Sequence, residues 1–222
     1  MTATARAPYS LTREPKDEST MSSTASIPSD DVLARLRSVS PSTLGHLRDH
    51  GLIAGLDPLF RPIRFAGVAR TVVGGEYDSP GLNRVIDEGD ERTVIVISRP
   101  AGTRRTTYGG VVGTRARARG IAGLVIDGPV TDSEQLVELG TPIYHRGVTP
   151  LVGRSTDGLE IVDVPVVVGG VVVNPGDVLF GDNDGVAVLS PYEVEPVLEV
   201  LEDMERREVG LRASLLAQGA DR

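Results

Sequence analysis

The chain of 222 residues contains no cysteine and no tryptophan, and aromatic residues make up only 4% of it. The absence of cysteine excludes disulfide bonds, a thiol nucleophile and any zinc or iron–sulfur site with cysteine ligands. With so few aromatic residues, the core must consist mainly of valine, leucine and isoleucine. Three histidines are too few for a histidine-rich metal centre and leave little for a Ser–His–Asp triad. Any metal would therefore have mainly oxygen ligands, which suits Mg²⁺, Mn²⁺ or Ca²⁺.

Basic residues are fewer than acidic ones. The chain has 23 lysines and arginines against 31 aspartates and glutamates, a formal net charge of −8. This balance argues against a general nucleic-acid or membrane-surface binder, which would need a basic face. No apolar run reaches the roughly 18–20 residues that a membrane helix needs, and the first residues lack the apolar core of a signal peptide. We therefore expect a soluble, cytoplasmic protein with no nucleic-acid or membrane partner.

The composition divides the chain into a tail and one domain. Residues 1–27 are rich in serine, threonine, proline and charge without an apolar period, which predicts a disordered tail in which Met21 is an alternative start. Residues 28–222 are expected to form a single domain. It ends in an amphipathic helix over residues 191–217, whose valines and leucines lie on one side.

The order of the predicted elements is typical of an α/β domain. A glycine pair, a helix and the strand Ala122–Ile126 follow one another, and the pattern then becomes mostly β up to residue 189. The predicted strands cover 68–73, 93–98, 122–126, 143–144, 161–168, 170–173, 178–181 and 186–189. Helices are predicted from 29, from 40 to 51, over 79–88, from the glycine pair to 119, and over 132–139.

The segment Tyr108–Asp132, YGGVVGTRARARGIAGLVIDGPVTD, carries the strongest candidate site. Gly109-Gly110 before a helix exposes backbone N–H groups that suit an anion. The following strand leads at its carboxyl end to Asp127-Gly128 and then to Asp132, where α/β sheets place their chemistry. The alternative is a tight turn at the glycines and a simple helix N-cap at Asp132. The spacing matches neither a dinucleotide fingerprint nor a Walker loop.

Three further features have ordinary explanations. Asp182–Gly185 lacks the ligand spacing of a calcium loop and is predicted to be a hairpin turn. His46 and His50 lie one helical turn apart without a third ligand near them in sequence, and we interpret them as surface or packing residues. The pair Arg104 and Arg105 is either a solvated loop or a carboxylate-binding site.

Four segments of the sequence resemble the RraA-like family. That family includes the ribonuclease E regulator RraA and the class II 4-hydroxy-4-methyl-2-oxoglutarate aldolases, which are also oxaloacetate decarboxylases. The resemblance spans roughly residues 30–219. Its segments are GIAGLVIDGPVTD at 120–132, LGTPIYHRGVTP at 139–150, VPVVVGGVVVNPGD at 164–177 and GDNDGVAVL at 181–189.

The resemblance implies an α/β fold, a swivelling β/β/α domain with a long C-terminal helix, assembled as a homotrimer or as a hexamer of two trimers. It implies Mg²⁺ or Mn²⁺ held by Asp132, with Glu208 of a neighbouring subunit approaching a water on the metal. It also implies that the substrate carboxylate meets the loop amides of Gly109, Gly110, Val111 and Val112.

Two positions depart from the pattern of the aldolases. Thr131 stands where they have arginine, and Gly110 stands where they usually have an acid. Another cation could replace the arginine, the substrate could differ, or the chain could be a non-catalytic relative. The candidate cations are Arg104, Arg105 and Arg146.

The leading hypothesis is a metal-dependent lyase that cleaves or decarboxylates a small 2-oxo acid, with Thr131 or a nearby arginine on the carbonyl side. The alternative is a regulatory or binding homo-oligomer of the same fold that lacks catalysis.

Overall fold

The structure is a computed structural model that describes residues 27–156 and 158–220. The predicted tail therefore lies outside the described residues, apart from Ile27. The strands are β1 (Leu52–Ile53), β2 (Asp57–Pro58), β3 (Phe65–Val73), β4 (Thr93–Ser98), β5 (Gly123–Ile126), β6 (Ile143–His145), β7 (Val166–Val168), β8 (Val171–Val173), β9 (Val178–Gly181) and β10 (Val186–Leu189). The helices are α1 (Asp30–Leu36), α2 (Pro41–Gly45), α3 (Leu82–Glu88), α4 (Gly110–Ala118), α5 (Ser133–Leu139) and α6 (Val194–Ala220).

Eight strands form one mixed sheet in the order β1-β10-β9-β3-β4-β5-β6-β2. The four neighbours β3, β4, β5 and β6 are parallel, and the other pairings in this sheet are antiparallel. Strands β7 and β8 form a separate two-stranded sheet. The carboxyl ends of the parallel strands therefore meet at one edge of the large sheet, where ligands bind in open α/β folds.

Alternating residues of the large sheet enter different layers. In β4, Val94 and Val96 pack toward the β7–β8 hairpin, whereas Ile95 and Ile97 pack toward helices. Helices α3, α4 and α5 cover the parallel half of that second face, and α1, α2 and α6 cover the half formed by β9 and β10. The order of layers is β/β/α with a long C-terminal helix, which confirms the predicted fold class.

The predicted elements agree with the structure where a pattern is long. Strands β4, β9 and β10 have the predicted bounds. The strand predicted over 161–168 is shorter, because Val162 forms only an isolated bridge with Val72 before β7 begins. The helix predicted from 40 to 51 ends at Gly45, since His46 caps it and the chain turns toward β1.

Two smaller predictions are also settled by the fold. Residues 182–185 form the turn that joins β9 to β10, with the Asp182 N–H donating to the Gly185 carbonyl at 3.1 Å. His46 and His50 are both exposed, as the surface interpretation predicts. No helix in the described part of the chain is long and apolar enough to cross a membrane.

Candidate active site

A cleft of about 580 Å³ opens where the parallel strands end. Its wall is formed by the segment that leads into α3, by the glycine loop before α4, by the turn before α5 and by an outer loop after residue 151. The lining residues are 77–83, 106–112, 131–132, 152–156, Gly158 and Glu160. The structure thus brings Thr131 and Asp132 together with the four loop residues Gly109, Gly110, Val111 and Val112.

Asp132 occupies the N-cap position of α5, but its side chain makes no capping hydrogen bond there. Instead, its Oδ2 accepts a hydrogen bond from the Gly110 N–H at 2.8 Å, at the beginning of α4. Asp132 has φ = 54°, a left-handed conformation that costs a non-glycine residue about 1–3 kcal/mol. The interpretation of Asp132 as a simple N-cap is therefore wrong, because the side chain is turned away from its own helix and into the cleft.

The two glycines of the loop provide space for this contact. Gly109 has an extended backbone with φ = −148°, so no turn geometry requires glycine there. A Cβ atom at Gly109 would lie 2.6 Å from Thr131 Cγ2 and 2.7 Å from Asp132 Oδ2. One at Gly110 would lie 1.8 Å from Gln135 Oε1. The glycines therefore let the start of α4 approach the carboxylate and the amide of α5.

The first turn of α4 also presents backbone donors. The Gly110 N–H is used by Asp132, and the Gly113 N–H donates to the Gly109 carbonyl at 2.8 Å. The N–H groups of Val111 and Val112 have no acceptor among the described residues. Free N–H groups at the positive end of a helix suit a carboxylate or a phosphate.

Gln135 is a site residue that the sequence reasoning missed. It lies one turn into α5, and its Oε1 occupies the place that a side chain at position 110 would fill. Asp132 Oδ2 lies 3.5 Å from the same point, so both oxygen atoms lie near the start of α4, although Gln135 does not itself line the cleft. Gln135 follows the N-cap Asp132 by three residues, and this capping-box spacing could have indicated the pair.

The candidate arginines lie outside the cleft lining. Arg104 is exposed. Arg105 donates to the Val152 carbonyl at 2.9 Å and lies 5.3 Å from the centre of the Tyr77 ring, so it supports the outer loop. Arg146 pairs with the Asp127 carboxylate and donates to the Gly55 carbonyl at 3.0 Å. The structure brings none of these three guanidinium groups to Asp132.

Arg99 is a different cation, which the sequence reasoning also missed. It follows β4 directly, and only 8% of its surface is exposed. Nη1 donates to Thr107 Oγ1 at 2.6 Å, and Nη2 donates to the carbonyls of Glu76 at 3.2 Å and Arg105 at 3.1 Å and to Thr103 Oγ1 at 3.4 Å. Burial lowers the pKa of Arg99, against the raising effect of Glu76 and Asp78.

The sequence matches the RraA-like family, described as Aldolase/RraA, over residues 34–188. The chain belongs to the RraA-like family. This confirms the family resemblance inferred from the four motif segments.

Three relatives of this RraA-like protein carry names of two kinds. A protein of Halalkalibacterium halodurans named "Putative 4-hydroxy-4-methyl-2-oxoglutarate aldolase" is 31% identical over 193 residues, which are 84% of this chain and 91% of the relative. Streptomyces coelicolor RraAS2, an unusual member of the RNase ES inhibitor RraA family, is 27% identical with a TM-score of 0.74 over 84% of this chain and 98% of that chain. The RNA-processing inhibitor RraA from Thermus thermophilis is 32% identical with a TM-score of 0.56, over 62% and 83% of the two chains.

The donor set of the cleft fits a hard divalent cation that keeps most of its water. No group of three or more histidine, aspartate or glutamate side chains in the described residues could hold a metal by itself. Mg²⁺ is commonly bound by one or two carboxylates together with water and substrate oxygens. Asp132 offers one carboxylate in the cleft, which matches such an ion, and Gln135 Oε1 lies beside the start of α4 but outside the cleft lining. Glu208 lies on α6, pairs with Arg212 and does not line the cleft of its own chain.

Proposed function

We propose that this RraA-like protein is a lyase that uses Mg²⁺ or Mn²⁺ and acts on a small 2-oxo acid, by retro-aldol cleavage or by decarboxylation. The observation that carries the proposal is the conformation of Asp132. The backbone of Asp132 is left-handed. Its carboxylate lies beside free N–H groups of α4, in a cleft at the carboxyl ends of the parallel strands. Backbone strain of this kind concentrates at functional sites. The family membership adds a set of relatives named for aldolase activity.

Each group of the cleft has a task in this proposal. A bound Mg²⁺ or Mn²⁺ would supply Lewis-acid stabilisation of the negative charge that develops on the 2-oxo oxygen as the C3–C4 bond breaks and an enolate forms. Asp132 would hold the ion, and Gln135 would accept hydrogen bonds from water near it. The N–H groups of Val111 and Val112 bind the substrate carboxylate. Thr131 donates a hydrogen bond on the carbonyl side, where one hydroxyl replaces the forked donor of an arginine.

A release assay for pyruvate tests the proposal. The substrates are oxaloacetate and 4-hydroxy-4-methyl-2-oxoglutarate, followed with and without Mg²⁺ or Mn²⁺. We expect turnover that EDTA abolishes and that Asp132→Ala lowers by about 10²–10³-fold or more. Asp127→Asn is the matched control. Asp127 directly follows β5, the strand that leads to Asp132, but it pairs with Arg146 outside the cleft. Turnover that persists in EDTA would contradict the metal, and no turnover on either substrate would contradict the lyase.

The second candidate function is a regulatory or binding homo-oligomer without catalysis. Thr131 favours it, because the loss of a charged donor at an oxyanion site costs about 3–4 kcal/mol of transition-state stabilisation. Two of the solved relatives are named as inhibitors of RNA processing. The test is the rate at which ribonuclease ES cleaves RNA with and without the full chain. Inhibition without pyruvate release would support this second function.

We also propose that the protein assembles as a homotrimer or as a hexamer, with Glu208 of one subunit near the cleft of the next. The support is the outer half of α6, which is exposed and carries apolar side chains, namely Val209, Leu211, Leu215 and Leu216. Exposed apolar groups of this kind mark interaction surfaces. Light scattering at micromolar concentration should give three or six times the chain mass. A monomer would contradict the assembly and the role of Glu208 together.

A further inference from the structure

Two hydroxyl groups on the cleft wall are connected to the buried Arg99. Ser79 and Thr107 both line the cleft, and their hydroxyl oxygens lie 2.8 Å apart. Thr107 Oγ1 also accepts a hydrogen bond from Arg99 Nη1 at 2.6 Å. Because a guanidinium group can only donate, this bond fixes one lone pair of Thr107.

One hydroxyl hydrogen of this pair is left without an acceptor. Ser79 and Thr107 carry two hydroxyl hydrogens, and the contact between them uses one. Thr107 Oγ1 accepts from Arg99, and either hydroxyl of the pair can donate to the other. In both arrangements one hydroxyl hydrogen has no acceptor among the described residues, and both hydroxyl groups line the cleft. A hydroxyl polarised in this way by a cation is a stronger donor than an isolated serine.

The charge of Arg99 has no carboxylate partner in the described residues. All four of its acceptors are neutral oxygens, and its Nε has no partner. Asp78, on the same wall, accepts hydrogen bonds from the N–H and the hydroxyl of Thr156 instead. Glu76 and Asp78 offset part of this charge from a distance, but no carboxylate of the described residues binds the guanidinium directly. An anion in the cleft can therefore still interact with the buried cation.

The ends of three parallel strands enclose the side chain of Arg99. A Cβ atom at Gly74, after β3, would lie 2.5 Å from Arg99 Cδ and 2.7 Å from Ser79 Oγ. A Cβ atom at Gly128, after β5, would lie 3.1 Å from Arg99 Cγ. Two glycines therefore make room for the arginine stem and bring Ser79 next to it. This packing fixes the direction from the cation to the hydroxyl pair.

We propose that the hydroxyl pair of Ser79 and Thr107 donates its remaining hydrogen to an anionic oxygen of the ligand, a carboxylate, and that Arg99 is the positioning residue that supplies the positive charge through Thr107. The inference rests on the proposed function for the position of the ligand in the cleft, but binding here needs neither metal nor turnover. In this proposal Arg99 supplies the positive charge that the aldolases have at the position of Thr131, but from a different part of the cleft wall.

Calorimetric titration of the full chain in EDTA with malonate and with malonamide tests the proposal, because the two probes have similar shape and differ in charge. We expect malonate to bind and malonamide to give no measurable heat. Thr107→Val should weaken malonate binding about tenfold, and Arg99→Met about ten- to hundredfold. Thr107→Ser and Arg99→Lys keep the hydroxyl and the charge and should recover most of the affinity. Arg70→Met is the control, since Arg70 pairs with Glu88 and Asp163 outside the cleft.

Three results would overturn the proposal: no binding of malonate by the wild-type chain, equal binding of malonamide, or unchanged malonate binding in Thr107→Val and Arg99→Met. If Arg99 only binds loop carbonyls and stabilises the fold, its substitution lowers Tm without changing the preference for malonate over malonamide. If Arg99→Met does not fold, the pair Thr107→Val and Thr107→Ser decides. Pyruvate release is measured separately. Arg99-dependent binding without turnover rejects the proposed function alone, whereas turnover with unaffected binding rejects only this inference.

Discussion

Two acids in this fold, Glu205 and Asp132, bind the N-termini of helices other than their own. Glu205, on α6, accepts from the Ser40 N–H at 3.0 Å and from the Thr43 hydroxyl at 2.6 Å, and so caps α2. Asp132, before α5, accepts from the Gly110 N–H at 2.8 Å and so meets α4. The electrostatic device is the same, a negative charge at the positive end of a helix.

The surroundings of the two carboxylates differ. Glu205 is half-buried where α6 packs on the first two helices, near the bidentate pair of Arg35 and Glu202 at 2.8 Å. Asp132 is exposed and has a left-handed backbone, and among the described residues the only partner of its Oδ1 is the Thr131 hydroxyl at 3.4 Å. One acid is enclosed by its partners and stabilises the fold. The other keeps an oxygen atom available to a ligand.

The largest effect is expected for Asp132→Asn, which distinguishes a role in ligand binding from a role in stabilising the fold. Asp132→Asn keeps an oxygen for the Gly110 N–H, and asparagine tolerates the left-handed conformation. We expect Tm to change little, while turnover in the pyruvate assay falls about 10²–10³-fold. A fall in Tm with turnover preserved would mean that Asp132 is structural like Glu205.

The next effect tests the space between α4 and α5. Gly110→Ala places a Cβ atom against Gln135 Oε1, which must move. Because the exposed end of Gln135 can rotate away, we expect a loss of only about 1 kcal/mol in the free energy of unfolding, measured by urea denaturation. Gln135→Ala alone should cost little because Gln135 is exposed, and the double variant should recover most of the loss. Additive losses would mean that the two positions do not interact.

A smaller effect is expected at the enclosed acid. Glu205→Gln keeps one acceptor for Ser40 and Thr43 but removes the charge from the start of α2. The expected loss is about 0.3–1 kcal/mol in the free energy of unfolding, with turnover per folded molecule unchanged. Urea denaturation and the pyruvate assay on the same sample measure both quantities. A large loss of turnover would show that the α6 side of the molecule takes part in the cleft.

The smallest effect concerns pH. Burial raises the pKa of Glu193, but hydrogen bonds from Ser190 and Arg48 outweigh it and lower the pKa overall. A carboxylate with a lowered pKa in the folded state stabilises the fold above its unfolded pKa of about 4.3, and this contribution is lost as the pH falls through the folded value. The slope of stability against pH in that range should be shallower for Glu193→Gln than for the wild-type chain. Equal slopes would show that Glu193 does not contribute.

The sequence predicts the helices and strands whose residues follow a clear local pattern. Residues 94–97 are a continuous apolar run between Thr93 and Ser98, and residues 93–98 form a central strand with the predicted bounds. Strands β1 and β2 have two residues each and form only by pairing with β10 and β6, so no local pattern indicates them. Asp132 was found from its place after β5, but its left-handed backbone and its turn away from α5 depend on contacts with α4.

The arginines show the same limit. Arg99, Arg104 and Arg105 lie within seven residues, and composition does not distinguish them. The sequence pattern favours the pair nearest the glycine loop, whereas the structure buries the arginine that directly follows β4. A charged residue at the carboxyl end of a fully buried strand is the signal that could have identified it. The space that Gly74 and Gly128 leave for it is tertiary information that the sequence does not contain.

Helix α6 is fixed at one end only, and this gives it the mechanics of a cantilever. Leu201 is its last fully buried residue in the described part of the chain, and Glu202 and Glu205 hold the same stretch to the first two helices. From Leu201 to Ala220 the helix extends about 28 Å at 1.5 Å per residue. A tilt of a few degrees at the anchor therefore displaces the tip by several ångströms. The geometry of whatever the tip contacts is set by a handful of side chains far from it.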